Sequence, residues 1–332
     1  QYERALQTRP IVNAPITITR VEAWITNNNS ASTVDNRNAV GFIDLGETEV
    51  VPNPAYQNER GVVFNETLVQ NNSYPDNNAN NLKGILESDP VYSEKSTVEN
   101  ALLNNQQIAL ENGVDFTLVE NMRKLNPNEF KFHPQLGYVS LNSPLQANQV
   151  LFVAYEFMLG GNVYQVGDFS LDNGKQANEL NSNVLFLKML KPAQVRPQYN
   201  GDPFPTWDLM MKNIYNIGGF GITANNFRLE IMFDSRTSAG DIGVLPSGPQ
   251  RNVPLLQVFG MDTIQNNNQA GPDGIFDFIP DITMMPDKGL IIFPVLEPFG
   301  SHLERKLEYD EEEIDKYVFK ELYTDTRQDA LN

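Results

Sequence analysis

The sequence predicts a mainly β fold of the α+β class, with two related antiparallel modules of β-sandwich type and a few peripheral helices. Three observations lead to this class. Short runs of alternating apolar and polar residues are bounded by Gly, Pro and Asn, which is typical of strands joined by turns. Only three segments show helical periodicity against this background. Four blocks of similar pattern also recur in the same order in the two halves of the chain.

The predicted strands differ in how much of their surface they should bury. Apolar and polar residues alternate over residues 227–234, so one face should be buried and the other exposed. Residues 149–158 and 184–190 are more continuously apolar, as expected for central strands covered on both faces.

Two of the predicted helices begin with a capping pattern. Ser96 and Glu99 occupy the first and fourth positions of a capping box, in which each side chain bonds the backbone amide of the other, so a helix should follow. Four acidic residues, 310–313, precede an apolar stripe, and acidic side chains are favourable at the positive end of a helix. We therefore predict a helix over residues 310–323 and interpret its acidic run as a cap, not as a metal site.

A further helix is predicted from Thr206 to the Gly218-Gly219 pair, which would end it. Its apolar residues fall on one stripe, which indicates packing against the core rather than a cofactor site. The residues of this stripe are Trp207, Met210, Met211, Ile214 and Ile217.

The internal repeat sets the predicted domains. Its clearest block is a Pro-X-X-Gly turn between two strands, at Pro134 and at Pro286, which predicts two equivalent hairpins with Tyr138 and Leu290 in corresponding places. We predict a first module over residues 1–198, with a helical and Asn-rich insertion at about 48–112, and a second over 199–332. A Pro-rich linker should join them around residues 191–205. The other paired blocks are 19–24 with 227–232, 40–46 with 257–262 and 112–116 with 273–278.

Composition excludes several classes of function. Lys and Arg number 24 against 42 Asp and Glu, giving a net charge of −18 that repels nucleic acid and anionic membrane surfaces. The chain has no Cys and only two His, which leaves little for metal or triad chemistry. No apolar run reaches the length of about 20 residues that a spanning helix needs. We expect a mature soluble piece that does not itself insert into a membrane.

No residue is predicted to be catalytic, to bind a cofactor or to ligate a metal. His133 aligns with Met285 of the second module, so it should be a structural histidine. His302 has only the adjacent Ser301 as a possible nucleophile, and neighbouring side chains diverge. The loop at 266–277 superficially resembles a calcium loop but has Pro280 where the late Glu belongs. Gly218-Gly219-Phe220-Gly221 lacks the third glycine of a dinucleotide loop and the Lys of a phosphate loop.

Several long segments resemble the SprA/Sov family of Bacteroidota, cell-surface gliding-motility proteins that form the outer-membrane translocon of type 9 secretion. The segments that carry the resemblance are residues 115–125, 126–145, 201–215 and 292–300. The resemblance implies an extramembrane piece of a much larger barrel protein, which contacts the rest of that barrel and PorV-like shuttle and plug proteins. The strands here are not a series of long amphipathic segments with aromatic girdles, so the chain is not itself the barrel.

Three functions remain open from the sequence. The first is a non-enzymatic structural portion of such a translocon at the outer membrane, with the extracellular side favoured over the periplasmic side. The second is an exported adhesin or lectin-like module that binds through loops rich in Asn, a residue abundant throughout the chain. The third is a hydrolase built on acidic loops. Exposed aromatic side chains in a groove would favour binding, two converging carboxylates would favour hydrolysis, and an apolar patch with neither would favour the structural role.

Overall fold

The computed structural model describes residues 2–28, 36–46, 74–170, 183–199, 201–225, 227–234, 240–265, 267 and 269–326. Strands account for 29% of the described residues and helices for 17%, which confirms a mainly β fold with a few helices. The chain divides into two compact units. The barrel unit is Pro15–Met210, and the C-terminal unit combines Gln1–Ala14 with Met211–Asn332.

The helices and strands are short. The helices are α1 (Tyr2–Ala5), α2 (Leu82–Ser88), α3 (Val98–Leu103), α4 (Pro205–Asp208), α5 (Leu255–Val258), α6 (Ser301–Lys306), α7 (Glu311–Tyr317) and α8 (Glu321–Thr324), with a 3-10 turn at Pro90–Tyr92. The strands are β1 (Ile16–Ile25), β2 (Arg37–Phe42), β3 (Phe116–Lys124), β4 (Phe130–Phe132), β5 (Val139–Leu141), β6 (Leu151–Leu159), β7 (Asn162–Val166), β8 (Val184–Lys191), β9 (Gln198–Tyr199), β10 (Asp202–Pro203), β11 (Ile214–Asn216), β12 (Phe233–Asp234), β13 (Asp241–Ile242), β14 (Met284–Met285) and β15 (Leu290–Ile292).

Five strands of the barrel unit close into a barrel rather than forming the predicted sandwich. Their order is β1-β3-β2-β8-β6, and β6 pairs back with β1. Neighbouring strands are antiparallel except for β2 and β8, which are parallel with Asn38 opposite Val184. The two strands predicted to be central are β6 and β8, and their largely buried residues confirm that prediction.

Alternating side chains of the barrel strands contribute to three buried clusters. One of these clusters joins residues of β1 and β6 to Leu125 and Phe130. One set points to the interior, where Trp24, Phe152 and Leu187 are buried with other apolar residues. The opposite faces of β2 and β8 are covered by α2 and α3, whose Leu82 and Val98 belong to the same cluster as residues of those strands. Hydrophobic burial on both faces explains why the sequences of β6 and β8 are almost continuously apolar.

The division of the chain differs from the predicted boundary between residues 198 and 199. The segment around Trp207 belongs to the barrel unit because Phe204 and Trp207 pack into the interior cluster. The first 14 residues belong to the C-terminal unit. There Arg9 donates to the carbonyl oxygen of Gly260 at 2.8 Å, and the Asn213 amide donates to the Tyr2 hydroxyl at 3.2 Å.

The prediction of a long helix after Thr206 is wrong. Helix α4 has only four residues, and Ile214 lies in β11 opposite Ile292 of β15. Strand pairing with a distant segment therefore overrides the local helical periodicity. Trp207 is buried as predicted, whereas Met210 and Ile217 are exposed.

The other two helices form with different ends or caps. Helix α3 begins at Val98 after the N-cap Thr97, which makes no side-chain capping bond, so the predicted box does not form. Helix α7 follows Asp310, whose side chain accepts from the amides of Glu312 and Glu313 as expected of an acidic cap. The predicted helix is interrupted after Tyr317, and the chain becomes helical again in α8.

The internal repeat is confirmed only in its hairpins. Strands β4 and β5 are antiparallel, as are β14 and β15, and both turns contain a glycine with positive φ. The amide of His133 bonds the carbonyl of Tyr138, and Met285 pairs with Leu290, so the registers correspond. Other blocks differ: residues 40–42 lie in β2, whereas 257–258 lie in α5. Two related modules are therefore not confirmed.

The alternating segment at 227–234 keeps its predicted burial but not its predicted length as a strand. Apolar residues at odd positions are partly buried, and the residues between them are exposed. Only Phe233 and Asp234 lie in a strand, β12. Phe227 instead packs edge-on against Phe276 and Phe278, with ring centroids 5.8 and 5.6 Å away. Aromatic packing here replaces a strand partner.

Candidate functional site

The two histidines have structural partners. His133 Nδ1 accepts a hydrogen bond from the Leu136 amide at 3.2 Å within the first Pro-X-X-Gly turn. His302 is buried, and its Nε2 lies 2.8 Å from the carbonyl oxygen of Val258. Burial lowers the pKa of His302, which favours the neutral ring. Neither histidine is brought next to a nucleophile by these contacts.

The loop that resembles a calcium site is organised by two buried carboxylates. Asp262 accepts hydrogen bonds from the amides of Asp273 and Gly274, at 2.8 and 3.0 Å. Asp277 accepts from the amide and hydroxyl of Thr263, both at 2.8 Å, while burial raises the pKa of Asp277. These carboxylates act as acceptors for the backbone. Asn266 and Asn268 of the same loop lie outside the described residues.

The described residues contain no group of three or more acidic or His side chains placed to hold a metal ion. Within the same part of the chain, no helix combines the length and the apolar character required to traverse a bilayer.

One cluster of asparagines forms a pocket, which we call the amide pocket. It has a volume of about 590 Å³ and lies beside α2 in the barrel unit. Amide side chains dominate its lining, together with one hydroxyl and one aliphatic side chain. The lining residues are Asn78, Asn80, Asn81, Gly84, Ile85, Ser88 and Gln107.

Helix α2 supplies one wall of the amide pocket. Its Leu82 and Leu86 are buried in the cluster that covers the barrel, which fixes the orientation of the helix. Positions 81, 84, 85 and 88 fall on another face of the helix, with the spacing i, i+3, i+4 and i+7. Burial of the leucines thus turns the small and polar residues toward the pocket.

The segment before α2 is held in place by its own polar groups. Asn77 Oδ1 accepts from the amide of Gly167 at 2.8 Å, and Asp76 Oδ1 accepts from the amide of Asn78 at 2.9 Å. Asn80 Oδ1 accepts from the Leu82 amide at 3.0 Å, which orients the Asn80 side chain at the start of the helix. This Asn-rich segment is therefore a defined turn.

The amide pocket is electrically neutral. None of its lining side chains ionises near neutral pH. Lys83 of the same helix is buried and pairs with Asp168, beside the ring of Phe186. That charged pair is internal to the unit, and no charged side chain lines the pocket.

A second feature is a glycine-rich loop in the C-terminal unit, residues 217–222, which we call the Phe220 loop. Phe220 at its tip is 87% exposed. The amide of Ile217 bonds the Gly289 carbonyl, and that of Ile222 bonds the Pro286 carbonyl, each at 3.0 Å. The loop is thus attached at both ends to the second Pro-X-X-Gly turn. Sequence reasoning gave this motif only the role of ending a helix.

No protein-family model matches the chain, and no curated protein is detectably similar to it. The candidate sites are therefore assigned from the geometry of the structure alone. Neither the amide pocket nor the Phe220 loop was predicted as a site. A glycine in the middle of the α2 sequence was the available signal for the pocket, because the interior of a helix disfavours glycine.

Proposed function

We propose that the chain is a non-enzymatic extramembrane portion of an SprA-like outer-membrane translocon that supports type 9 protein secretion and gliding motility. The resemblance of several long sequence segments is the first support. The Phe220 loop is the structural observation that carries the proposal. Its role is to contact the remainder of the translocon, on the extracellular side of the outer membrane, and PorV-like shuttle or plug proteins are further partners.

A phenylalanine as exposed as Phe220 is suited to anchor such a contact. Burying it against a partner would contribute about 1.5–3 kcal/mol from transfer of its apolar surface. The hydrogen bonds at both ends of the Phe220 loop hold the loop before any partner binds, so little conformational entropy is lost on association. Aromatic anchors of this kind carry a large share of the energy in many interfaces.

Photo-crosslinking in cells tests the contact. We replace Phe220 by p-benzoylphenylalanine in the full-length parent protein and, as a matched control, Phe319, which is 46% exposed in the same unit. Position 220 should yield an adduct with another part of the translocon or a bound partner protein, and position 319 should yield much less. Equal adducts at both positions, or no adduct at 220, would contradict the proposed role.

The absence of cysteine allows a separate test of location. A single Val163→Cys substitution places a thiol at a residue that is 58% exposed. A membrane-impermeant maleimide should label it on intact cells if this part of the protein is extracellular. Labelling only after the outer membrane is opened would place it in the periplasm instead.

A surface-binding module, adhesin or lectin-like, is the second candidate, and the amide pocket is the observation that favours it. The hydrolase alternative lacks such support, because the amide pocket contains no acidic side chain. The relation of the two modules also stays a proposal. Its support is the corresponding register of the two Pro-X-X-Gly hairpins.

A further inference from the structure

We infer that the outward edge of β11, residues 213–217, is a docking site for an extended, uncharged segment of a partner, which adds to the sheet as a further strand. We call this site the β11 edge. The inference rests on the proposed function, because the Phe220 loop continues directly from β11, and it specifies how the partner binds. Three observations support it: the direction of the backbone groups of β11, the covering of the opposite edge of the sheet and the charge of the segment.

The hydrogen bonds between β11 and β15 show which backbone groups of β11 point outward. The Asn213 carbonyl and the Ile217 amide bond the backbone at the two ends of β15, at 2.9 and 3.0 Å. Bonded residues alternate along an antiparallel pair. The amides and carbonyls of Ile214 and Asn216 therefore point away from β15. In the part of the chain that the structure describes, no backbone bond from another segment reaches them.

The outward groups are placed where an extended backbone can bond them. Asn216 is exposed and Ile214 is partly exposed. The two residues are two positions apart, a spacing of about 7 Å in a strand. A second extended chain presents its own amides and carbonyls at the same spacing, and it can pair with both residues at once. The paired stretch of residues 213–217 has the usual length of a strand.

The opposite edge of the same sheet is covered by the protein itself. Strand β14 forms that edge. The Met284 amide bonds the Ile279 carbonyl at 3.2 Å, and the Met284 carbonyl accepts from the Asp281 amide at 2.8 Å. A tight turn thus pairs with the outward groups of β14. No described segment does the same for β11, so the sheet can be extended on that side.

The β11 edge lacks the features that usually protect an edge strand, which are charged side chains, proline and bulges. Residues 213–227 contain neither a charged residue nor proline, although the net charge of the chain is −18. The pairing of β11 with β15 has no register shift. The added segment should itself be uncharged, because an ionised side chain would lose hydration and would find no opposite charge within this stretch.

The Phe220 loop adds an apolar contact to the backbone pairing. Ile217 is both the last paired residue of β11 and the first residue of the loop. A strand laid along β11 therefore ends beside the loop that carries Phe220, which is 87% exposed. Backbone bonds give affinity for any extended segment, whereas a pocket for the phenylalanine ring selects one partner.

Hydrogen–deuterium exchange resolved to single residues tests the pairing, in the purified full-length parent protein and in the 332-residue chain. The amides of Ile214 and Asn216 should exchange at least ten-fold more slowly in the parent protein. The amides of Tyr215 and Ile217, which face β15, should be protected in both. Equal exchange at 214 and 216 in the two proteins would overturn the inference. Protection that appears in the 332-residue chain only at high concentration would identify a second copy as the occupant and would also overturn it.

A substitution at Asn216 separates strand pairing from simple burial. Asn216→Pro removes the outward amide and leaves the bonds to β15 intact. Asn216→Ser is the matched control, because it keeps this amide and its hydroxyl can replace Asn216 Oδ1 as the acceptor for the Gly218 amide, now at 2.7 Å. In the parent protein, the proline variant should speed exchange of the Ile214 amide at least ten-fold, and the serine variant should not. Unchanged exchange in both variants would overturn the inference.

Circular dichroism checks that the variants fold. If the proline variant does not fold, Asn216→Lys places a charge on the β11 edge and should have the same effect on Ile214. The result is distinct from that of the crosslinking test. An adduct at position 220 without protection of Ile214 and Asn216 would support the proposed contact and overturn the added strand. Protection without an adduct would contradict the role of Phe220 and support the added strand.

Discussion

Gly41 of β2 lies so close beneath the ring of Phe152 of β6 that a methyl group on Gly41 would overlap the ring. The two strands are not neighbours in the barrel, because β8 lies between them. Their contact therefore crosses the interior. Glycine at this position gives the Phe152 ring the room it occupies in the interior cluster.

Gly41→Ala should destabilise the barrel by about 1–3 kcal/mol, the usual cost of overpacking a filled core. Gly84→Ala is the matched control, because its new methyl group meets open space in a helix. That substitution should stabilise by about 0.5–1 kcal/mol. Urea denaturation of both variants measures the difference. A neutral Gly41→Ala substitution would mean that Phe152 moves aside without cost.

Trp207→Ala should cost about 3–5 kcal/mol of unfolding free energy, through lost transfer energy and the cavity left behind. Trp207 is 8% exposed and belongs to the interior cluster. Met210→Ala, at a residue 45% exposed, should change stability by less than about 0.5 kcal/mol. A loss below about 1 kcal/mol for Trp207→Ala would show that the barrel does not depend on this anchor.

His302 should make stability fall as the pH is lowered. Burial depresses the pKa of the folded state below the unfolded value of about 6.5, so the unfolded chain binds more protons in this range. The contribution of the neutral ring is complete above pH 6.5 and is lost progressively below it, toward the folded pKa. We expect His302→Gln to flatten stability between pH 7.5 and 5.5. Thermal melts across that range check this, and equal slopes for the two proteins would contradict it.

Calcium should not change the melting temperature, and neither should a chelator. The carboxylates of Asp262 and Asp277 already accept hydrogen bonds from backbone amides, and a cation would have to displace those donors. Differential scanning fluorimetry in 5 mM CaCl₂ and in EDTA provides the measurement. A calcium-dependent rise of several degrees would show that the loop at 262–277 rearranges to bind the ion.

Asp310→Ala should cost about 0.5–2 kcal/mol, because the amides of Glu312 and Glu313 lose their acceptor. Asp310→Asn should recover most of that loss, since an amide oxygen can also cap a helix. Asp315→Ala, at an exposed residue inside α7, controls for removal of an acid. Equal losses of stability at positions 310 and 315 would indicate that the effect comes from removing a negative charge and not from losing the helix cap.

Local patterns predicted what depends on local physics. Continuous burial in β6 and β8, the cap at Asp310 and the turn glycines at 137 and 289 were all readable from neighbouring residues. The helix after Thr206 failed because Ile214 pairs with Ile292, a partner that periodicity cannot reveal. Closure of the barrel was not predicted either, because it depends on pairing between strands that are far apart in the sequence.

The amide pocket illustrates a different limit. The sequence predicts a helical and Asn-rich insertion at about 48–112, but such a prediction does not say what surface the insertion forms. Gln107 joins the lining from a distant segment, and only the packing of Leu82 and Leu86 decides which face of α2 borders the pocket. Sites assembled from several segments need the tertiary structure.

The parallel pairing of β2 with β8 has a consequence for how the chain is made. Asn38 reaches the ribosome exit long before its partner Val184, and β1 likewise waits for β6. The nascent polypeptide must therefore emerge as far as Lys191 before the ring of strands can be completed. Until then its apolar edges are available to chaperones. Closure of the barrel is therefore a late event that depends on contacts between residues far apart in the sequence.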